Sequence, residues 1–388
     1  MKYICNLCKR TYAPDKTLWR CKCGGLFDLV DFDIRFDLEK IQSRSKDIWR
    51  YREALPFAQQ FDGSSSVSLG EGGTPMVALS PDLPDIFVKL DFLMPTLSFK
   101  DRGAAVLITK AQELGAKFIV ADSSGNAGTS IAAYANRAGM ECEIYVPDRT
   151  SSKKIKQISA HGAKVCPVPG SREDTAKAAQ EAVRKKEAFY ASHVYNPFFY
   201  QGTKTYAYEI WEQLRKAPDV VVVPVGNGTL LLGAYYGFKE LLEWGLINKM
   251  PRLLAVQAEG CAPIARAFDA MKDEAHPVVN TGTAAEGIAI ADPPRSRQIL
   301  AAVRETRGVV VTAPEAAIPD ARITLAKKGF YVEPTTAATY AGFVEYVRKC
   351  TSGKLPVDQN LFPSNPFELN HHGTTVVIPL CGAGLKAD

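Results

Sequence analysis

The chain has 388 residues, 46% of them hydrophobic and 23% charged, with a net charge of +5. This is a globular profile with room for two domains and an appendage. The modest charge argues against a nucleic-acid-binding protein, and no stretch is long and apolar enough to span a bilayer, so neither nucleic acid nor membrane is an expected partner.

Residues 1–30 hold CNLC and CKC, followed by Gly24-Gly25. Cys5, Cys8, Cys21 and Cys23 stand as C-x2-C-x12-C-x-C. Four clustered thiolates suit one tetrahedral zinc, and a structural one, since four cysteines leave no open coordination position. The last pair is tighter than C-x2-C, and a knuckle without its metal is the competing reading. Met1-Lys2-Tyr3 runs straight into this cluster, unlike a signal peptide. The other five of the nine cysteines (Cys142, Cys166, Cys261, Cys350, Cys381) are scattered as reduced thiols would be, so a cytoplasmic location is expected.

Residues 36–60 are charged and aromatic and read as a helical connector, and 66–76 as a glycine-rich loop. A β/α alternation follows. Strands are predicted at 85–92, 117–122, 141–147, 219–225 and 252–260. Helices are predicted at 101–115, 127–139, 151–162 and near 229–243. Short apolar runs alternating with helical patterns imply parallel sheets covered by helices.

Three segments carry chemistry. DSSGNAG (122–128) follows a strand and opens a helix, so Ser123, Ser124, Gly125 and Asn126 offer hydroxyls and N–H groups to a carboxylate or phosphate. Plain N-capping is the competing reading. VPVGNGTLLLG (223–233) is a second strand–loop–helix site, where Gly226, Asn227, Gly228 and Thr229 can cradle a phosphate. Its G-x-G-x4-G spacing is not the dinucleotide pattern, although Glu259 at the end of the next strand leaves a nicotinamide reading open. In LSFKDRGAAV (97–106), Ser98 and Asp101 fit a capping box, which places Lys100 at a helix start. The helix dipole and Arg102 would both favour the neutral amine, the nucleophilic form. An exposed first-turn lysine is the alternative. A reactive lysine, a phosphate loop and a carboxylate loop together describe a site for pyridoxal 5′-phosphate and an amino acid.

The chain resembles threonine synthase, of the fold-type II pyridoxal-phosphate enzymes related to the tryptophan synthase β-subunit. The resemblance runs nearly end to end, through DIWRYREALP, LGEGGTP, VKLDF, SFKDRG, SSGNAG, QGTKTYAYEI, VPVGNGTLLLG, QAEGCAPIARAF, VEPTTAA and PLCGAGLK. It implies an α/β fold of two parallel-sheet domains with the cofactor in the cleft, plus the small N-terminal zinc-ribbon-like segment with its four cysteines. The implied domains are 1–30, a small α/β domain at 101–195, and a large cofactor-binding domain from 31–100 and 196–388. Lys100 would be the Schiff-base lysine, and Asn126 would hydrogen-bond the cofactor's ring hydroxyl. Gly226, Asn227, Gly228 and Thr229 would hold its phosphate. Ser123, Ser124 and Gly125 would grip the substrate carboxylate. Cys381, in place of the family's usual Ser or Thr, would face the pyridine nitrogen and leave it unprotonated, which favours β/γ-elimination or replacement over transamination. The implied reaction turns O-phosphohomoserine and water into threonine and phosphate, and the implied partners are a small amino-acid substrate and a second copy in a homodimer.

The chain departs from the family where the substrate phosphate should bind. Threonine synthases typically carry Thr after SSGN and Arg shortly after a later Asn-Pro. Here these places hold Ala127 and the run Phe198-Phe199-Tyr200 after Asn196-Pro197. An arginine–phosphate pair is bidentate and charge-assisted, so its loss should cost about a few kcal/mol. Either Lys204 or His193 takes over the phosphate, or the substrate is another amino acid, non-phosphorylated or aromatic, with Phe198, Phe199 and Tyr200 stacking on it. A non-catalytic regulator that keeps the fold is the remaining reading, and retention of Lys100 and both loops argues against it.

Overall fold

Valine and isoleucine fill the strands of the larger sheet, because branched side chains suit a pleated surface covered on both faces. The computed structural model describes residues 1–58, 60–352 and 373–387. Its larger sheet has six strands in the order Val309–Ala313, Arg252–Ala258, Val220–Pro224, Val376–Pro379, Ile86–Lys89 and Met76–Ala78. The first five are parallel, and Met76–Ala78 closes the edge antiparallel. Val220, at the centre, stands opposite both Arg252 and Val376, and its strand is buried throughout. A second, all-parallel sheet runs Lys164–Val168, Glu141–Pro147, Phe118–Ala121, Phe189–Tyr190. A small antiparallel sheet, Thr11–Tyr12, Lys2–Cys5 and Phe27–Val30, carries the four N-terminal cysteines on and between its strands.

The predicted alternation is present. The strand expected at 141–147 is Glu141–Pro147, the helix expected near 229–243 is Thr229–Glu243, and that at 101–115 is Lys100–Glu113. The connector is less regular than expected. It forms a short helix, Leu38–Ser43, and a kinked 3-10 stretch, Ile48–Ala54.

The described residues fall into two compact units. One comprises Met1–Gly73, Met94–Thr96 and Lys100–Thr205, and the other Thr74–Leu93, Leu97–Phe99 and the described residues from Tyr206 onward. Residues 31–73 and 196–205 therefore group with 101–195 rather than with the C-terminal part, and 1–30 is not a unit apart; residues 353–372 and 388 of the expected large domain lie outside the described residues. The physical reason is a set of buried polar contacts. Glu71 accepts from Trp49 Nε1, Tyr134 Oη and the Leu69 backbone N–H, each at 2.8 Å. It joins the connector to helix Asn126–Arg137, and burial pushes its carboxyl up to about 7. The Val67 N–H donates to Thr109 Oγ1 at 2.9 Å, which fixes the glycine-rich loop on the Lys100 helix. In the other unit, Lys89 is fully buried and donates to Glu209 at 2.6 Å and to Thr74. Among the described residues no helix is long and apolar enough to cross a membrane.

Candidate active site

The helix that carries Lys100 starts at that residue, but not through the expected capping box. Asp101 turns inward and is buried. It accepts from the Thr96 backbone N–H at 2.6 Å, the Thr96 hydroxyl at 2.5 Å and the Ser130 hydroxyl at 2.5 Å. Ser98 does not cap the helix. Leu97 adopts a left-handed φ of +61°, Ser98 forms an isolated bridge with Gly382, and its buried Oγ has no hydrogen-bond partner. Arg102 is buried and donates to Thr205 Oγ1 at 3.1 Å.

Beneath Lys100 lies Phe199. A Cβ on Gly103 would sit 2.4–2.5 Å from carbons of the Phe199 ring, so the ring occupies the notch this glycine leaves. Lys100 Nζ stands 5.5 Å from the ring centroid, and the His193 ring meets it edge-on at 5.9 Å. Phe198 packs on Tyr3 at 5.7 Å and under Lys110, and Tyr200 donates to the Val194 carbonyl at 3.1 Å. Phe198 and Phe199 are 0% exposed and Tyr200 2%. The expectation that these three rings stack on a substrate is therefore corrected, since all three are core. Ala127 and Val194 are buried as well. Lys204 is buried, its Nζ 5.3 Å from the Phe32 ring centroid. Burial, with Lys100 and Arg172 close by, holds the His193 imidazole well below its ordinary value, so it is neutral at neutral pH.

The serine loop leaves strand Phe118–Ala121 and opens helix Asn126–Arg137. Its N-cap is Gly125, with no side-chain cap hydrogen bond, so the N-capping alternative is not what the loop does. Ser123, Ser124, Gly125 and Asn126 are all partly exposed. A Cβ on Gly128 would lie 1.8 Å from the Ser123 carbonyl oxygen, so only glycine lets the loop fold this closely over the helix start.

In the other unit, strand Val220–Pro224 leads through Gly226 and Asn227 to Gly228, which has φ +77° and caps helix Thr229–Glu243 with no side-chain cap hydrogen bond. A Cβ on Gly226 would meet Ile290 at 3.0 Å and the Ile288 backbone at 3.1 Å, and one on Gly228 would meet Ile299 at 2.6 Å. This loop is thus closely walled, and no side chain caps the helix that follows it. Cys381 is buried after strand Val376–Pro379, and its carbonyl accepts from the Phe99 N–H at 3.0 Å, one residue before Lys100 in the chain.

The four N-terminal cysteines converge, with all sulfurs within 4.8 Å of one another and the Cys5–Cys23 and Cys8–Cys21 pairs at 3.5 and 3.6 Å. A tetrahedral zinc with bonds of about 2.3 Å would set its sulfurs about 3.8 Å apart. The Tyr12 hydroxyl lies 3.1 Å from Cys21 Sγ and holds that thiol down at about 6.

The family model described as "Pyridoxal-phosphate dependent enzyme" matches residues 67–359. Threonine synthase of Methanocaldococcus jannaschii is 35% identical over 350 residues, 87% of this chain and 85% of that one. The Mycobacterium bovis threonine synthase is 34% identical, with 87% of each chain covered. The chain belongs to the pyridoxal-phosphate-dependent enzymes. Within them it is closely related to threonine synthase. Solved structures agree in fold. Maize serine racemase superposes with a TM-score of 0.67 at 20% identity, covering 80% of this chain and 88% of that one. A fungal L-serine ammonia-lyase from Rhizomucor miehei gives 0.66 at 22% identity, covering 80% and 93%.

The residues present fit the family's cofactor. A lysine opens a helix, two further helix starts have no side-chain cap, one loop is walled so that only glycine fits, and a buried hydroxyl, Ser98 Oγ, has no partner. Pattern reading missed Asp101 as an anchor, Gly103 as the notch for Phe199, and Asp122, whose carboxylate accepts from Tyr190 Oη at 2.8 Å at the very start of the serine loop. An acidic residue between a strand and SSG was the available signal for the last.

Gly103→Ala tests the notch. Alanine favours a helix by about 1 kcal/mol over glycine, but the new methyl must displace the Phe199 ring, a cost of about 1–3 kcal/mol. We expect a net loss of stability in urea unfolding, partly relieved by adding Phe199→Leu. A stabilised Gly103→Ala protein would show that the ring is not held there.

Proposed function

We propose that the chain catalyses a threonine-synthase-like β/γ elimination–replacement in which Lys100 holds the cofactor and the Ser123–Gly125 loop holds the carboxylate of a small amino acid. Asn126 would meet the cofactor's ring hydroxyl, the Gly226–Thr229 loop its phosphate, and Cys381 its pyridine nitrogen. Pyridoxal phosphate, when bound, supplies the electron sink that allows bonds at Cα and Cβ to ionise. Lys100 Nζ, once the substrate's own amine has taken its place on the cofactor, would be the amine that takes the proton from Cα and returns it, and the Phe199 ring 5.5 Å away limits where it can stand. The backbone amides at the start of helix Asn126–Arg137, where no side chain caps the helix, would orient the carboxylate, so that the proton leaves Cα and returns to it on one face.

Two substrates are in play. O-Phosphohomoserine with water is the leading assignment that the relatives' name supports. One observation favours the other reading, an amino acid with a less charged departing group. The residues standing where the family carries polar phosphate contacts, Ala127 and Phe199, are buried and apolar and bring no donor, and His193 beside Phe199 is held neutral. A phosphate dianion would have to rely there on Lys100 and Arg172, the cations near His193, in place of the bidentate contact that these positions do not supply. The test compares kcat/KM for O-phosphohomoserine, O-acetyl- and O-succinylhomoserine, homoserine and an aromatic homoserine ether. We expect at least one of these less charged compounds to exceed the phosphate ester by roughly tenfold or more. Turnover of O-phosphohomoserine to threonine at about 1 s⁻¹ or faster, above all the others, would establish the plain threonine-synthase reaction.

The four-cysteine cluster supports a structural zinc, and a homodimer in the cytoplasm remains the working assembly and location. The purified protein should contain one zinc per chain, lost in Cys5→Ser and Cys21→Ser, and chelation should lower the melting temperature. A metal-free protein with unchanged melting would leave the cluster as a plain thiol knuckle.

A further inference from the structure

The cysteine-bearing segment packs an aromatic ring against the edge strand of the small parallel sheet. Trp19, two residues before Cys21, wedges its indole against two tyrosines, with ring centroids 5.0 Å from Tyr190 at 79° and 5.4 Å from Tyr195 at 72°. The two tyrosines stack on each other at 6.0 Å, and the Arg20 guanidinium lies over the Tyr195 ring at 5.9 Å. Tyr190 is on the edge strand Phe189–Tyr190, opposite Val120 of the strand that feeds the serine loop. Its ring is buried, and its hydroxyl donates to Asp122 Oδ1 at 2.8 Å. Asp122 is the last residue before Ser123-Ser124-Gly125. Tyr195, the other ring that Trp19 touches, ends the turn that carries His193, a turn tied by weak hydrogen bonds from the Val194 and Tyr195 N–H groups to Ser192 Oγ.

We propose that Trp19 and Tyr190 are positioning residues for amino-acid binding, with the indole fixing the Tyr190 ring and the Tyr190 hydroxyl fixing Asp122 and thereby the path of the Ser123–Gly125 loop. This rests on the reading that the loop holds the substrate carboxylate. A helix start grips a carboxylate only while its N–H groups converge on one point, and a displacement of about 1 Å spoils that convergence. No side chain caps the helix at Gly125. The Tyr190–Asp122 hydrogen bond is a restraint at the strand end of the loop, and the indole from the N-terminal segment packs on that tyrosine's ring. The segment thereby becomes part of the amino-acid site without contributing an atom to it.

The experiment titrates L-homoserine into the holoenzyme, following the cofactor's visible band for affinity, with cofactor content and melting temperature measured in parallel. Tyr190→Phe keeps the ring and its contact with Trp19 but removes the hydroxyl. We expect its dissociation constant for L-homoserine to rise roughly fivefold to tenfold, the worth of one hydrogen bond of this kind, with cofactor content unchanged. Trp19→Ala should do the same, and Trp19→Phe should restore most of the affinity. Gly128→Ala, whose methyl would force the Ser123 carbonyl and with it the loop aside, is measured alongside. If it weakens L-homoserine binding and Tyr190→Phe does not, the positioning inference is overturned and the loop reading survives. If Gly128→Ala, folded and loaded with cofactor, binds as the wild type does, the loop reading itself falls. A lower melting temperature in Trp19→Ala and Tyr190→Phe with unchanged affinity would give these residues a purely structural role and overturn the proposal.

Discussion

Asp101 is the residue on which the lysine's position depends. Its buried carboxylate accepts three short hydrogen bonds, two from Thr96 and one from Ser130. The first two fix the chain just before the helix that Lys100 opens. The third reaches helix Asn126–Arg137, whose start is the serine loop. A buried acceptor with three donors is costly to dismantle, because each donor would be left unsatisfied. Lys100 and the serine loop are thus tied through one side chain, and neither can drift without breaking that tie. The Phe199 ring, seated in the Gly103 notch, adds a floor beneath the lysine that no mobile side chain would provide.

The other functional segments share a simpler logic. Each follows the carboxyl end of a parallel strand: the serine loop after Phe118–Ala121, the glycine loop after Val220–Pro224, and Cys381 after Val376–Pro379. Within each sheet the parallel strands end with their chains pointing the same way, and a helix that follows such a strand presents its first N–H groups at that end. Such positions can bind anions with little side-chain help, and both loops stand out in the sequence as Gly, Ser and Asn after an apolar run. On the function proposed above, the α-carboxylate of an amino acid and the phosphate of the cofactor are the two anions to be held.

Much of this was legible because it is local. The β/α alternation, the uncapped loops and the cysteine spacing are written in consecutive residues, and the structure keeps them nearly where pattern reading puts them. What was not legible depends on partners far apart in the chain. Ser98 and Asp101 have the spacing of a capping box, yet Thr96 and Ser130 occupy the carboxylate instead of Ser98, and the left-handed turn at Leu97 carries Ser98 away. The run Phe198-Phe199-Tyr200 looks like a substrate wall, but whether a ring faces a pocket or a core depends on Gly103, far earlier in the chain. The grouping of residues 31–73 with the lysine-bearing unit likewise rests on Glu71 meeting Trp49 and Tyr134, a contact that no local pattern announces.

The central claim is that Lys100, and no other lysine, holds the cofactor. Borohydride reduction of the purified protein, followed by proteolysis and mass spectrometry, tests it most directly. The account predicts a single pyridoxyl label on the peptide containing Lys100. A label on Lys89 or Lys204, both buried, or no label in protein saturated with pyridoxal phosphate, would contradict it.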